Sequence, residues 1–188
     1  MNIQNKTIVI HKKLNRAVML MKKVEDICNR QIEREGYSSN LYLAMASWAE
    51  TSGFSGVAGW LYAQADEERV HMLKFIKYVN ERGGKAVVPA FNKPPVDYKS
   101  VEELFKEVLK HEEFVTSSIN EIVALTLEEK DFNTHNFLQW FITEQVEEEA
   151  SVGKILDKVN LVGKNNMYQF DRDIMSLRTP AAGEPSTT

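Results

Sequence analysis

Residues 57–75 read VAGWLYAQADEERVHMLKF, and the fold turns on which of them share a face. Val57, Leu61, Gln64, Glu68, His71 and Phe75 are separated by alternating fours and threes. That spacing puts them on one stripe of an α-helix, the stripe that meets partner helices. Glu68 and His71, three residues apart, stand side by side on it. A carboxylate on a core stripe is costly unless it is paired or binds a cation.

The same repeat occurs three more times. It runs through Cys28, Ile32, Glu35, Ser39, Tyr42, Ala46 and Ala49. It runs through Val101, Phe105, Val108, Glu112, Val115, Ile119 and Ile122, and again through Leu138, Phe141, Gln145, Glu148, Val152, Ile155 and Val159. Each apolar stripe is interrupted near its middle by a carboxylate: Glu35, Glu68, Glu112 and Glu148. A lone Glu-x-x-His is a weak motif. Four interrupted stripes with one histidine point to a metal centre inside a helical bundle.

Composition agrees with long helices. The chain has 188 residues, 43% hydrophobic and 27% charged, with only 9 glycines and 5 prolines. That length suffices for one domain with a full core. The net charge of -4 gives no case for nucleic acid or anionic membranes. One cysteine, Cys28, excludes an intramolecular disulfide and a thiolate metal site within the chain, and it fits the cytoplasm. No stretch of about 18 apolar residues is present, so no spanning helix is expected.

The first helix is expected from Lys22 to Thr51, with Gly36 tolerated inside it. The second follows an N-cap at Ser55 and ends at Arg82, before Gly83 and Gly84. Lys85 to Lys99 contains Pro89, Pro94 and Pro95 and reads as an extended connection. Ser100 and Glu103 form a capping box for a third helix ending at Glu129. The fourth spans Phe132 to Leu161. Asn165 is expected to cap a short fifth helix from Asn166 to Ser176. Residues 1–20 read as a disordered N-terminal extension, 21–176 as the folded domain and 177–188 as a disordered tail.

The short first and third turns make two antiparallel hairpins. About fifteen extended residues reach about 50 Å, enough to return along a helix of about 45 Å. Periodicity alone does not choose a long crossover over an all-antiparallel bundle. The carboxylates favour whichever topology brings them to one level.

Oxygen donors with one imidazole suit Fe(II), Mn(II) or Zn(II). Glu35, Glu68 and His71 form one site. Glu68 can bridge to a second with Glu112, Gln145 and Glu148, and Tyr42 reaches the pair from the same stripe as Glu35. Glu67, Glu144, Glu147 and Glu148 read either as a third, all-oxygen site or as a solvated acidic face. Trp140 lies at the same level and reads as packing rather than as an electron donor.

Taken together, Glu35-Gly-Tyr-Ser-Ser-Asn-Leu-Tyr42, Glu67-Glu68-Arg-Val-His71, His111-Glu112 and Asn136 through Glu149 resemble the bacterial non-haem ferritins. The resemblance covers residues 22–176. It implies an all-α, ferritin-like four-helix bundle with one long crossover and a short fifth helix. It implies a homo-oligomeric shell of 24 subunits that oxidises Fe(II) with O2 or H2O2 and stores ferric mineral. By position, Glu35, Glu68, His71, Glu112 and Gln145 match the two-iron ferroxidase centre, and Tyr42 the tyrosine beside it. Glu67, Glu144, Glu147 and Glu148 match a third iron site. The run Glu144-Gln145-Val-Glu147 lacks the second Glu-x-x-His of bacterioferritins, so no haem is expected. The acidic pair of animal ferritin channels falls at His135 and Leu138, so their iron entry route does not carry over. Two rivals remain on the residues alone. One is an oxidase that retains its two metals and acts on an organic substrate; the other is a purely structural bundle.

Overall fold

The computed structural model describes residues 19–163 and 166–178. Among the described residues five α-helices follow one another: α1 (Lys22–Thr51), α2 (Ser55–Glu81), α3 (Val101–Glu128), α4 (Phe132–Val162) and α5 (Met167–Asp173), followed by a 3-10 turn, Ile174–Leu177. No strand occurs among the described residues, and none of their helices is long and apolar enough to cross a membrane.

Contacts between distant residues settle the topology. Along α1, Arg34 lies over Phe114, Ser38 meets His111, and Lys23 pairs with Glu129, so α1 and α3 run antiparallel. Along α2, Gln64 meets Glu148, Phe75 packs on Phe141 and Tyr78 bonds Thr134, so α2 and α4 also run antiparallel. Because α1 and α2 form a hairpin, α2 and α3 are parallel, as the long-crossover topology requires.

The crossover is laid along α1. Asn29 donates to the Lys85 carbonyl at 3.0 Å and accepts from the Val87 amide at 2.7 Å. Trp48 packs edge-on against Tyr98 near the other end of α1. Between them Phe91 lies directly over Gly36, where an added Cβ would come within 2.4 Å of the ring. Gly36 is therefore more than a tolerated weak helix former: it makes room for the crossover.

Core side chains collect at both ends of the bundle. Tyr42, Met45, Trp60, Leu61, Leu104, Phe105 and Ile155 fill one end, and Ile32, Phe75, Ile119, Ile122 and Leu138 the other. The polar level lies between these two layers. Cys28 is buried and free, and burial pushes its thiol up to about 12.

The chain segments at the helix ends differ from expectation in several places. Ser55 does not cap α2; the preceding Phe54 holds that position without a side-chain bond. Asp171 of α5 supplies the acceptor instead, taking the Val57 amide at 2.8 Å. Ser100 caps α3 as expected through the Glu103 amide, but the Glu103 carboxylate takes the Lys99 amide rather than that of Ser100. At the N-terminus Leu20 is 5% exposed and its amide donates to the Arg82 carbonyl at 2.8 Å. Leu20 thus belongs to the folded unit and not to the expected extension, because it closes the apolar layer beside Val24 and Val79. The tail expected from residue 177 begins later, since Leu177 closes the 3-10 turn and Arg178 pairs with Glu67, and α5 starts at Met167 with Asn166 rather than Asn165 in the N-cap position. Residues 1–18, 164–165 and 179–188 lie outside the described residues.

Candidate metal centre

Four helices deliver polar side chains to the layer between the two apolar clusters. Glu35 from α1, Glu68 and His71 from α2, and Glu112 from α3 are at most 2% exposed. Gln145 and Glu148 of α4 are 3% and 6% exposed. The i, i+3 geometry of α2 sets His71 Nδ1 3.6 Å from Glu68 Oε2 and 4.0 Å from Glu35 Oε2. Ligand atoms of Glu35, Glu68 and His71 all lie within 4.8 Å of one another.

The polar atoms at this level are incompletely satisfied. Both Glu68 oxygens, Glu35 Oε2 and His71 Nε2 are buried without a hydrogen-bond partner. Buried polar atoms are nearly always paired, so orphans on three adjacent side chains make this layer a candidate place for a cation. Carboxylate oxygens and one imidazole are the donor set that divalent iron accepts.

Electrostatics points the same way. Burial holds the Glu35 carboxyl well above the usual carboxylate range, and the Glu68 charge adds to the shift. Burial and the Glu112 charge do the same to Glu68. Glu148 is raised well above its range by burial, then by Glu112 and Glu67. Without metal these groups hold protons that a bound cation would displace.

The structure also separates residues that the spacing grouped. Glu112 faces Tyr42, whose hydroxyl donates to its Oε1. The Gln145 amide donates to Glu112 Oε2 and to Thr116 Oγ1, both at 3.2 Å. Glu148 Oε2 accepts from Gln64 at 2.8 Å. Of the candidates for a third site, Glu67 and Glu144 come together with His71, their ligand atoms within 4.8 Å. Glu147 is exposed. Trp140 packs edge-on against His71 at 5.3 Å and carries Lys74 Nζ 3.6 Å above its ring.

Sequence reasoning missed the supports. Gln31 donates to Glu35 Oε1 at 2.8 Å and accepts from Ser118 at the same distance. Gln64 and Thr116 hold Glu148 and Gln145 in the same way. The available signal was a glutamine one turn before each of Glu35 and Glu68. His111, next to Glu112, turns to α1 instead: its Nε2 lies 2.8 Å from Ser38 Oγ, and burial lowers it to about 4, so it is neutral.

Residues 25–162 match the family model of the Ferritin-like domain. A probable bacterial non-heme ferritin-like protein of Haemophilus influenzae is 44% identical over 165 residues, 87% of this chain and 100% of its own. The bacterial non-heme ferritin of Campylobacter jejuni is 40% identical over 161 residues, 85% of this chain and 96% of its own. The crystal structure of an open-pore ferritin from the archaeon Archaeoglobus fulgidus superposes with a TM-score of 0.82 at 41% identity, covering 86% of this chain and 99% of that one. Fold, donor set and relatives agree: the chain belongs to the ferritin family, with bacterial non-haem ferritins among its relatives.

Proposed function

We propose that this chain is an iron-storage ferritin with ferroxidase activity, acting as a cytoplasmic homo-oligomeric shell of 24 subunits. The observation that carries the reading is the cluster of Glu35, Glu68 and His71, with its unpartnered buried oxygens and Glu112 opposite. Glu35, Glu68 and His71 hold one Fe(II). Glu68, Glu112, Gln145 and Glu148 hold a second. Each iron gives one electron to the oxidant, O2 or H2O2, and the ferric product leaves for the shell interior. Glu67, Glu144, Glu147 and Glu148 are the candidates for a third iron on the way out. Tyr42 orients Glu112 through its hydroxyl. No haem takes part.

Gln145 gives the second site a neutral oxygen where a metal-retaining oxidase would place imidazole. A weakly held second iron suits a centre that releases its product. That favours storage over catalysis with a fixed metal pair.

The test has two arms. Light scattering should give about half a megadalton, 24 chains of 21.5 kDa, with or without iron. A stable dimer of about 43 kDa would end the storage reading. Stopped-flow oxidation of Fe(II) should be fast in the parent and lost in Glu68→Ala, with His71→Ala less affected. Parental rates in Glu68→Ala would remove the assigned centre.

A further inference from the structure

Glu35 and Glu68 are each preceded by a glutamine one helical turn earlier, and the two glutamines behave differently. Gln31 of α1 donates its amide to Glu35 Oε1 at 2.8 Å, along its own helix. Gln64 of α2 passes Glu68 by and crosses to Glu148 Oε2 at 2.8 Å. Glu35 is therefore clamped at one oxygen, whereas no glutamine clamps Glu68.

The clamp is itself held from another helix. Ser118 of α3 lies with its hydroxyl 2.8 Å from Gln31 Oε1 and 2.8 Å from the Val115 carbonyl. Gln31 and Ser118 are 0% and 2% exposed, so bulk water replaces neither bond. An ionised carboxylate only accepts hydrogen bonds, so it has to meet the NH2 end of Gln31. The carbonyl end of the amide then needs a donor, and the Ser118 hydroxyl supplies it. Metal ligation requires the ionised carboxylate, so this amide orientation is the one a loaded centre demands. With Oε1 held by Gln31, Oε2 is the oxygen turned toward His71, 4.0 Å from its Nδ1.

We infer that Gln31, backed by Ser118, is the positioning residue for the first iron. It sets the Glu35 carboxylate before metal arrives, so binding does not have to order that side chain. Glu35 thereby serves one iron only, while the unclamped Glu68 keeps the freedom to serve both. Through Ser118, α3 governs a ligand that α1 carries. The assignment rests on Glu35, Glu68 and His71 being a cation site.

The experiment titrates chelator-treated, fully assembled protein with Co(II) alone, without oxygen, followed by calorimetry and visible absorption. Gln31→Met keeps the size of the side chain and removes the amide. It should weaken the first Co(II) per subunit by about tenfold or more. It should also change the intensity of the Co(II) visible bands, which report ligand number and geometry, and leave the second Co(II) nearly unaffected. Ser118→Ala should weaken the same first Co(II), by about threefold, because the amide then loses only its backing. Added to Gln31→Met it should do nothing more, since it acts through Gln31. Glu35→Gln is the control and should weaken the first Co(II) most.

A first affinity and spectrum unchanged in Gln31→Met overturn the positioning role. Equal weakening of both Co(II) ions overturns it too, because that marks a general loosening of the core. Losses that add in the double variant refute the relay through Ser118. If Glu35→Gln also binds Co(II) as the parent does, the cation site itself is refuted, and the inference falls with it.

Discussion

Replacing Glu68 with glutamine should stabilise the metal-free protein while abolishing its metal chemistry. Glu68 is fully buried, and the carboxyl that shares a proton with it, that of Glu35, can bond a glutamine amide as well, so the substitution need cost no hydrogen bond. What it removes is a charge. An oxygen of Glu68 lies within 4.8 Å of one of Glu35, and two full charges at that distance repel by about 3 kcal/mol at an effective dielectric of about 20. Near pH 8 the apoprotein either carries that repulsion or takes up a proton to escape it. Both routes destabilise the fold, so the gain on substitution is about 1–3 kcal/mol.

The pH dependence gives the sign. Burial, reinforced by the Glu112 charge, raises the folded-state pKa of Glu68 above that of the unfolded chain. Between those two values the native state binds more protons, so apoprotein stability falls as pH rises. Below the unfolded value both states are protonated, and Glu68 then resembles glutamine. The stabilisation by Glu68→Gln should therefore be large near pH 8 and shrink toward pH 4.5. The assay is urea unfolding of chelator-treated parent and variant at equal subunit concentration, read by far-ultraviolet circular dichroism. A variant less stable than the parent at pH 8 would mean that Glu68 is satisfied in the apoprotein, and the orphaned-carboxylate argument would be wrong.

Cation binding at Glu35, Glu68 and His71 should tighten from pH 5 to pH 7 and release protons, because both carboxyls are raised; a binding enthalpy independent of buffer ionisation heat would contradict this. Gln145→His should leave the first Fe(II) oxidation nearly unchanged but hold the second metal more tightly and slow repeated additions; unchanged recovery would confine Gln145 to its hydrogen bonds with Glu112 and Thr116. Gly56→Ala should cost about 3 kcal/mol or more, since it drives the Asp171 carbonyl away and strips α2 of its amide acceptor, and a melting temperature within about 1 °C of the parent would refute that docking. Gly153→Ala, inside α4 with nothing within 4 Å of its Cβ, should be neutral or stabilising by up to about 1 kcal/mol in the same melts.

The helices and the side chains that reach the polar layer were legible in the sequence. Spacings of three and four fix a face locally, so Glu35, Glu68, His71, Glu112, Gln145 and Glu148 were placed on inner stripes by their own helices. The Glu-x-x-His pair was legible for the same reason: both members ride on one turn. What spacing does not fix is the axial register of one helix against another, or which way a side chain turns when two partners are in reach. Only the assembled bundle made α2 and α3 parallel, through contacts such as Ser38 with His111 and Gln64 with Glu148. Only there did Glu148 turn to Gln64, the Gln145 amide to Glu112, and Glu67 and Glu144 to the far side of His71. The local rule failed at Ser55 because Asp171, more than a hundred residues later, takes the amide that a cap would have taken. It was silent on Arg178 for the same physical reason: an ion pair between the last turn of the fold and the middle of α2 leaves no periodic trace in either segment.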